Sequence, residues 1–161
     1  MAKYEVSDIR NVGLIGHVGT GKTSLADAIL FNVGLNTRLG KVDNETSLMD
    51  YEPEEVKRKT SIGSSFATFD YNKKHFNIVD TPGAANFTAD SKNCIQAVDT
   101  CLFVLDAVDG VKVQTLDLIR VANELNRSTA IFINKMDREN SDFRKALSSL
   151  EGSGLNNPVL V

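Results

Sequence analysis

The sequence predicts an α/β fold, a mostly parallel sheet with helices on both faces. Short β-rich runs alternate with helical stretches along the chain. Two of these runs, 100–106 and 128–134, are almost continuously apolar, as expected of central strands covered on both faces. Two further runs, 62–71 and 75–80, are joined by the polar turn Asn72-Lys73-Lys74 and read as one antiparallel hairpin at an edge.

Each element follows in order. The first strand is expected over 11–16. Residues 22–33 carry Leu25, Ala28, Ile29 and Val33 at helical spacing. From 36 to 61, about 26 residues, no strand is convincing and charge is dense after Asp50; a loop of that length in a compact domain is usually functional or disordered. Helices are expected over 87–98, 111–125 and 141–150, the middle one with Leu116, Ile119 and Ala122 three apart. The final stretch, 152–161, reads as a loop entering another strand. On that reading the chain is cut from something longer.

Composition excludes several classes. With 18 Lys and Arg against 21 Asp and Glu, the net charge of −3 argues against a protein that coats nucleic acid and against a polybasic membrane binder. The hydrophobic share of 42% is enough for a core, and 161 residues fit one domain. Apolar runs such as 101–105 are too short to span a bilayer. The N-terminus, Met1-Ala-Lys-Tyr-Glu-Val-Ser-Asp8, has no signal-peptide stretch, so a cytoplasmic location is expected. Cys94 and Cys101 lack partners at metal spacing and read as reduced, partly buried thiols.

Three motifs carry chemistry, each at the end of an expected strand. Gly16-His17-Val18-Gly19-Thr20-Gly21-Lys22-Thr23, followed by Ser24, fits GxxxxGK[ST] between a strand and a helix. Such a loop points successive N–H groups at phosphate oxygens, with the helix N-terminus behind them. Lys22 is then the point charge for the β- and γ-phosphates, and Thr23 offers a hydroxyl to Mg²⁺.

Asp80-Thr81-Pro82-Gly83 closes the expected strand over 75–80. By itself it is a common turn. Beside a phosphate loop, Asp80 can hold Mg²⁺ through water and the Gly83 N–H can reach the γ-phosphate. Asn134-Lys135-Met136-Asp137 completes the set. Its Asp137 carboxylate can accept from N1–H and the 2-amino group of guanine, Asn134 can reach the O6/N7 edge, and the Lys135 stem can lie along the base. Adenine presents an acceptor to Asp137, a polar mismatch that discriminates strongly. All three motifs sit at carboxyl ends of strands, where open α/β sheets bind ligands. They predict a P-loop NTPase of the G-domain type, a three-layer sandwich that binds GTP or GDP with Mg²⁺.

With these residues in place, the chain resembles the G domain of elongation factor G over nearly its whole length, from Asn11 onward. The resemblance is carried by 29–34 (Ile-Leu-Phe-Asn-Val-Gly), Met49-Asp50 and 133–138 (Ile-Asn-Lys-Met-Asp-Arg). Residues 50–55 and 136–143 look closer still to the elongation-factor-G-like paralogues of some bacteria. It implies GTP-driven work on the ribosome and ribosomal RNA, with neither DNA nor membrane as partner. The 36–61 loop becomes switch I and 80–87 switch II, both ordered by the γ-phosphate and Mg²⁺. It also implies that 1–161 is a G-domain fragment ending before an inserted subdomain, the final strand and the Ser-Ala base motif. A weakened nucleotide affinity and an exposed sheet edge are then expected.

The departures are specific. The family reads Asp-Thr-Pro-Gly-His, with the histidine orienting the attacking water, and this chain has Ala84 there. Slow intrinsic hydrolysis is expected, since positioning supplies most of this catalysis. Where the family reads Arg-Gly-Ile-Thr, this chain reads Arg58-Lys59-Thr60-Ser61. Ser61 takes the place of the Mg²⁺-binding threonine, with Thr60 second. Arg58 and Lys59 face ribosomal RNA phosphates or form a solvated pair beside Glu54 and Glu55. Gly19 replaces a common aspartate. Two functions stay open: a GTPase using Lys22, the Gly83 amide and Mg²⁺, or a nucleotide-gated binding module with negligible turnover. A kinase-like P-loop enzyme is remote, because Asn134 and Asp137 specify guanine.

Overall fold

The computed structural model describes residues 4–155 and Val159. The strand expected at the C-terminal end falls outside the described residues. Five strands form one sheet: β1 (Ile9–Ile15), β2 (Ser65–Tyr71), β3 (Lys74–Asp80), β4 (Thr100–Asp106) and β5 (Ser128–Asn134). Their order across the sheet is β2-β3-β1-β4-β5. Only β2 with β3 is antiparallel, and β1 lies parallel between β3 and β4. The expected α/β architecture with one edge hairpin is present. Its turn is tighter than the sequence suggested, because Asn72 and Lys73 both take positive φ (47° and 63°) and Tyr71 pairs with Lys74.

Helices cover both faces: α1 (Lys22–Asn32), α2 (Pro53–Arg58), α3 (Thr88–Ala97), α4 (Val113–Glu124) and α5 (Phe143–Ser148). Adjacent strand residues point to opposite faces, so Leu14 and Ile78 enter one core and Ile15 and Val79 the other. The first core is closed by Ala26 and Leu30 of α1 with Met49 of the 36–61 loop. The second is closed by Ile95 and Val98 near α3 and by Leu118, Ile119 and Ala122 of α4. The buried stripe of α4 is Thr115, Leu118, Ile119 and Ala122, so Leu116 sits at its margin. Both cysteines are buried free thiols, which burial pushes up to about 12 (Cys94) and about 11 (Cys101).

Three expectations need correction. Among the described residues β5 is an edge strand with alternating exposure: Ile131 packs on the core, while Ala130 and Phe132 face outward. Its continuous apolar run therefore does not reflect burial on two faces. The second strand starts at Ser65 because the Glu55 carboxylate takes the N–H groups of Ile62 (2.8 Å) and Gly63 (3.0 Å), removing them from the sheet ladder. The 36–61 loop contains α2, which has a start signal of Pro53 with Glu54 and Glu55 and a last turn of Lys57 and Arg58.

Candidate functional site

The carboxyl ends of β1, β3, β4 and β5 converge on one rim of the sheet. The order turns outward in both directions from β1, the arrangement that opens a crevice at a strand end. From Ile15 the chain enters the 16–21 loop, and α1 begins at Lys22. Gly21 has φ +93°, and a Cβ there would run into the Asn134 side chain. Lys22 is 6% exposed, and its Nζ donates to the carbonyls of Gly16 and His17 at 3.0 Å each. Burial lowers its pKa, opposed by the charges of Asp80 and Asp50. The Thr20 hydroxyl donates to His17 O (3.0 Å), and His17 turns its Nδ1 to Val18 O, so both side chains brace the loop.

The β3 end is packed against this loop. Val18 N–H donates to Gly83 O at 3.0 Å, and a Cβ on Gly83 would lie 2.6 Å from Lys22 Nζ. Only a residue without a side chain fits there. Ala84 is half-buried and opens the 3-10 turn Ala85–Phe87; its methyl can hydrogen-bond nothing.

Four side chains then form a chain of contacts. Thr23 Oγ1 donates to Asp80 Oδ2 (2.6 Å) and lies 3.2 Å from Ser61 Oγ, which donates to Asp50 Oδ1 (2.8 Å). Of the two hydroxyls left open by the sequence, Ser61 meets Thr23, whereas Thr60 donates to Arg58 O (3.3 Å). Asp80 Oδ1 and Asp50 Oδ2 are buried without a hydrogen-bond partner in the protein. Burial pushes the Asp80 carboxyl up to about 6, against the opposing pull of Thr23 and Lys22, and burial raises Asp50 likewise.

A buried carboxylate oxygen without a donor is costly, and hard cations take all-oxygen ligand sets. Two orphaned carboxylate oxygens beside two hydroxyls fit Mg²⁺ by this chemistry. Among the described residues no group of three or more His, Cys, Asp or Glu is placed to hold a metal by itself. A cavity of about 500 Å³ opens over this set, lined by Gly19, Lys22, Thr23, Asp50, Ser61 and Gly83. Ser24, Lys135 and Arg138 border it too.

The base-recognition candidates divide. Asn134 does not point outward to a base edge: its Nδ2 donates to Thr20 O (2.9 Å) and its Oδ1 accepts the Lys135 N–H (2.9 Å). It therefore braces the β5 loop against the phosphate loop. Lys135 has a left-handed backbone (φ +62°) and its Nζ reaches Gly19 O and Asp106 Oδ2. Asp137 is exposed and lies outside the cavity lining.

Sequence reading missed three carboxylates. Asp50 belongs to the Met49-Asp50 stretch that carries the resemblance, but nothing local marks it as 5% exposed and facing Ser61. Asp27, on α1, is 1% exposed and accepts the Leu48 N–H (3.0 Å), pinning switch I from below. Asp106 ends β4. Of the switch I basic pair, Arg58 is held by Glu54 (2.6 Å) and Lys59 by Asp43 O (3.0 Å). Lys59 has φ +53°, the backbone region that glycine favours, at the position where the resembling motif has glycine.

Residues 7–157 match the family model for the elongation factor Tu GTP-binding domain. The chain belongs to that family. It is 37% identical over 155 residues to the mitochondrial ribosome-releasing factor 2 of Drosophila willistoni, covering 96% of this chain and 21% of that protein. The counterpart of Pongo abelii is 34% identical, covering 97% of this chain and 20% of its own length. A crystal structure from Thermus thermophilus superposes with a TM-score of 0.84 at 30% identity, covering 91% of this chain and 22% of that one. A bacterial selenocysteine-specific elongation factor superposes at 0.69 with 25% identity, covering 91% and 24%. The chain thus spans about a fifth of the length of these relatives. The motifs and the family agree: this is a GTP-binding domain of the elongation factor Tu type, similar to one part of ribosome-releasing factor 2. No helix among the described residues is long and apolar enough to cross a membrane.

Proposed function

We propose that this chain binds GTP and GDP with Mg²⁺, and that it is the nucleotide-binding domain of a longer factor that hydrolyses GTP on the ribosome. The observation that carries the reading is the joint placement of Lys22, Gly83, Thr23, Ser61 and Asp50 around one 500 Å³ cavity, with Asp80 joined to them through Thr23. Family membership and the printed names of the ribosome-releasing relatives support the ribosomal half.

On this reading Lys22 leaves the Gly16 and His17 carbonyls and takes phosphate oxygens instead, exchanging neutral acceptors for charged ones. The N–H groups of 16–21 and the start of α1 hold the β-phosphate. The Thr23 and Ser61 hydroxyls and the Asp80 and Asp50 carboxylates would hold Mg²⁺, which would neutralise charge on the phosphates. The Gly83 amide meets the γ-phosphate and stabilises charge that develops on it. Asp137 reads guanine. The cytoplasm is the compartment proposed, and ribosomal RNA the nucleic-acid surface met by switch I.

Ala84 favours a second reading, a nucleotide-gated binding module in which GTP orders the switches and turnover is negligible. Single-turnover hydrolysis by the full-length protein, with and without ribosomes, separates the two. Ribosome-stimulated phosphate release supports the enzyme; stimulation indistinguishable from zero supports the module.

A further inference from the structure

Asp106 lies at the carboxyl end of β4 and is 7% exposed. Its two oxygens do different work. Oδ1 accepts the N–H groups of Val108 (2.9 Å) and Asp109 (3.3 Å), which fixes the loop that follows the strand. Oδ2 accepts from Lys135 Nζ at 2.7 Å, and the same ammonium reaches the Gly19 carbonyl in the phosphate loop. Both partners of this ion pair are largely shielded, with side-chain exposures of 19% and 10%. The backbones are tied as well: Ala107 N–H donates to Asn134 O at 2.9 Å, and Asp142 N–H donates to Ala107 O at 3.2 Å. Burial raises the Asp106 pKa, but Lys135 and the two amides outweigh it, so the carboxyl sits below the ordinary range.

Lys135 forms part of the wall between two cavities. One is the 500 Å³ nucleotide cavity; the other is a neighbouring cleft of about 210 Å³ lined by His17, Thr20, Asp109 and Lys112. Asp106 lines only the smaller cleft. It therefore holds Lys135 from behind without touching the nucleotide cavity. A lysine ammonium on a flexible stem has many rotamers, and a neutral carbonyl alone is a weak anchor for it. The carboxylate converts that contact into a fixed bridge between the base loop and the phosphate loop.

We propose that Asp106 is a positioning residue that sets nucleotide residence time: by fixing Lys135 against Gly19, it holds the base-recognition loop and the phosphate loop closed together on the bound nucleotide. The inference rests on the guanine-nucleotide reading above. It concerns how long nucleotide stays, since Asp106 meets neither the base nor the reacting phosphate.

The test is stopped-flow release of a fluorescent GDP from the full-length protein. Asp106→Asn keeps an acceptor for Val108 and Asp109 while removing the charge that holds Lys135. It should speed release by about tenfold or more, the usual worth of a shielded charged hydrogen bond. Lys135→Met should do the same. The double variant Asp106→Asn/Lys135→Met should release no faster than Lys135→Met alone, because both changes break one bridge. A purely structural role for Asp106 would leave the two effects multiplying. Wild-type release from Asp106→Asn, or multiplying effects, overturns the inference while leaving nucleotide binding intact. Should Asp106→Asn fail to fold, wild-type release from Lys135→Met overturns it instead. A wild-type protein that binds no GDP sinks the nucleotide reading itself, and the inference with it.

Discussion

Thr23 Oγ1 donates to Asp80 Oδ2 across 2.6 Å, and this contact joins the first residues of α1 to the end of β3. Asp80 is 1% exposed, and its other oxygen has no partner in the protein. One side chain thus ties the phosphate loop to switch II and leaves an oxygen for a cation.

Removing the hydroxyl tests that arrangement. Thr23→Ala strips Asp80 of its one side-chain donor and costs about 2 kcal/mol, the usual penalty for unpairing a buried charged group. GDP affinity should also lose its response to Mg²⁺. Titrations of GDP with and without EDTA check this; a Mg²⁺ dependence equal to wild type contradicts the proposed ligand role.

Gly83→Ala places a methyl within 2.6 Å of Lys22 Nζ and of the His17–Val18 peptide, too close for either to stay where it is. The overpacking costs about 1–3 kcal/mol. Because Gly83 is proposed to meet the γ-phosphate, GTP binding should weaken more than GDP binding. Parallel titrations measure the ratio, and an unchanged preference rules out that contact.

The pH dependence of the nucleotide-free protein in EDTA follows from Asp80. Its folded pKa, about 6, lies above the ordinary value, so the folded state holds the proton more tightly than the unfolded state does. Stability should therefore rise as pH falls through about 6, by about 1 kcal/mol between pH 7 and 5. Burial raises the Asp27 and Asp50 pKa values in the same direction. Saturating GDP and Mg²⁺ should abolish the trend, because a cation favours the ionised carboxylate. Melting curves across this range decide it; a stability that falls towards pH 5 in EDTA contradicts the assignment.

Asp27 gives a prediction about switch I. Its carboxylate accepts the Leu48 N–H and lies against Gly40, so it holds two separate parts of the loop on α1. Asp27→Ala loses that hold, but also relieves a buried charge whose second oxygen is unpartnered. Global melting should change little, while trypsin cleavage at Lys41 should accelerate. Cleavage at the wild-type rate means switch I is held elsewhere.

Some of this was legible in the sequence because the signals are local. The phosphate loop is a run of glycines with a lysine and a threonine at fixed spacing, and its placement between β1 and α1 follows from the flanking patterns. The helix α2 does have a local start signal in Pro53, Glu54 and Glu55, but six residues within dense charge carry no apolar periodicity to expose it. The three buried carboxylates were not. Asp50 meets Ser61 across 11 residues, Asp27 meets Leu48 across 21, and Asp106 meets Lys135 across 29. Their burial arises from folding over those separations, and no spacing rule encodes it. Asn134 shows the same limit, since its partner Thr20 lies 114 residues away. The edge position of β5 was hidden because an apolar run looks alike whether one face or both are covered.

The most direct test is calorimetric titration of the wild-type protein with GDP and then ADP, each with Mg²⁺. One molar equivalent of GDP should bind, with ADP weaker by about 100-fold or more. Equal affinity for the two, or no binding of GDP, contradicts the central claim.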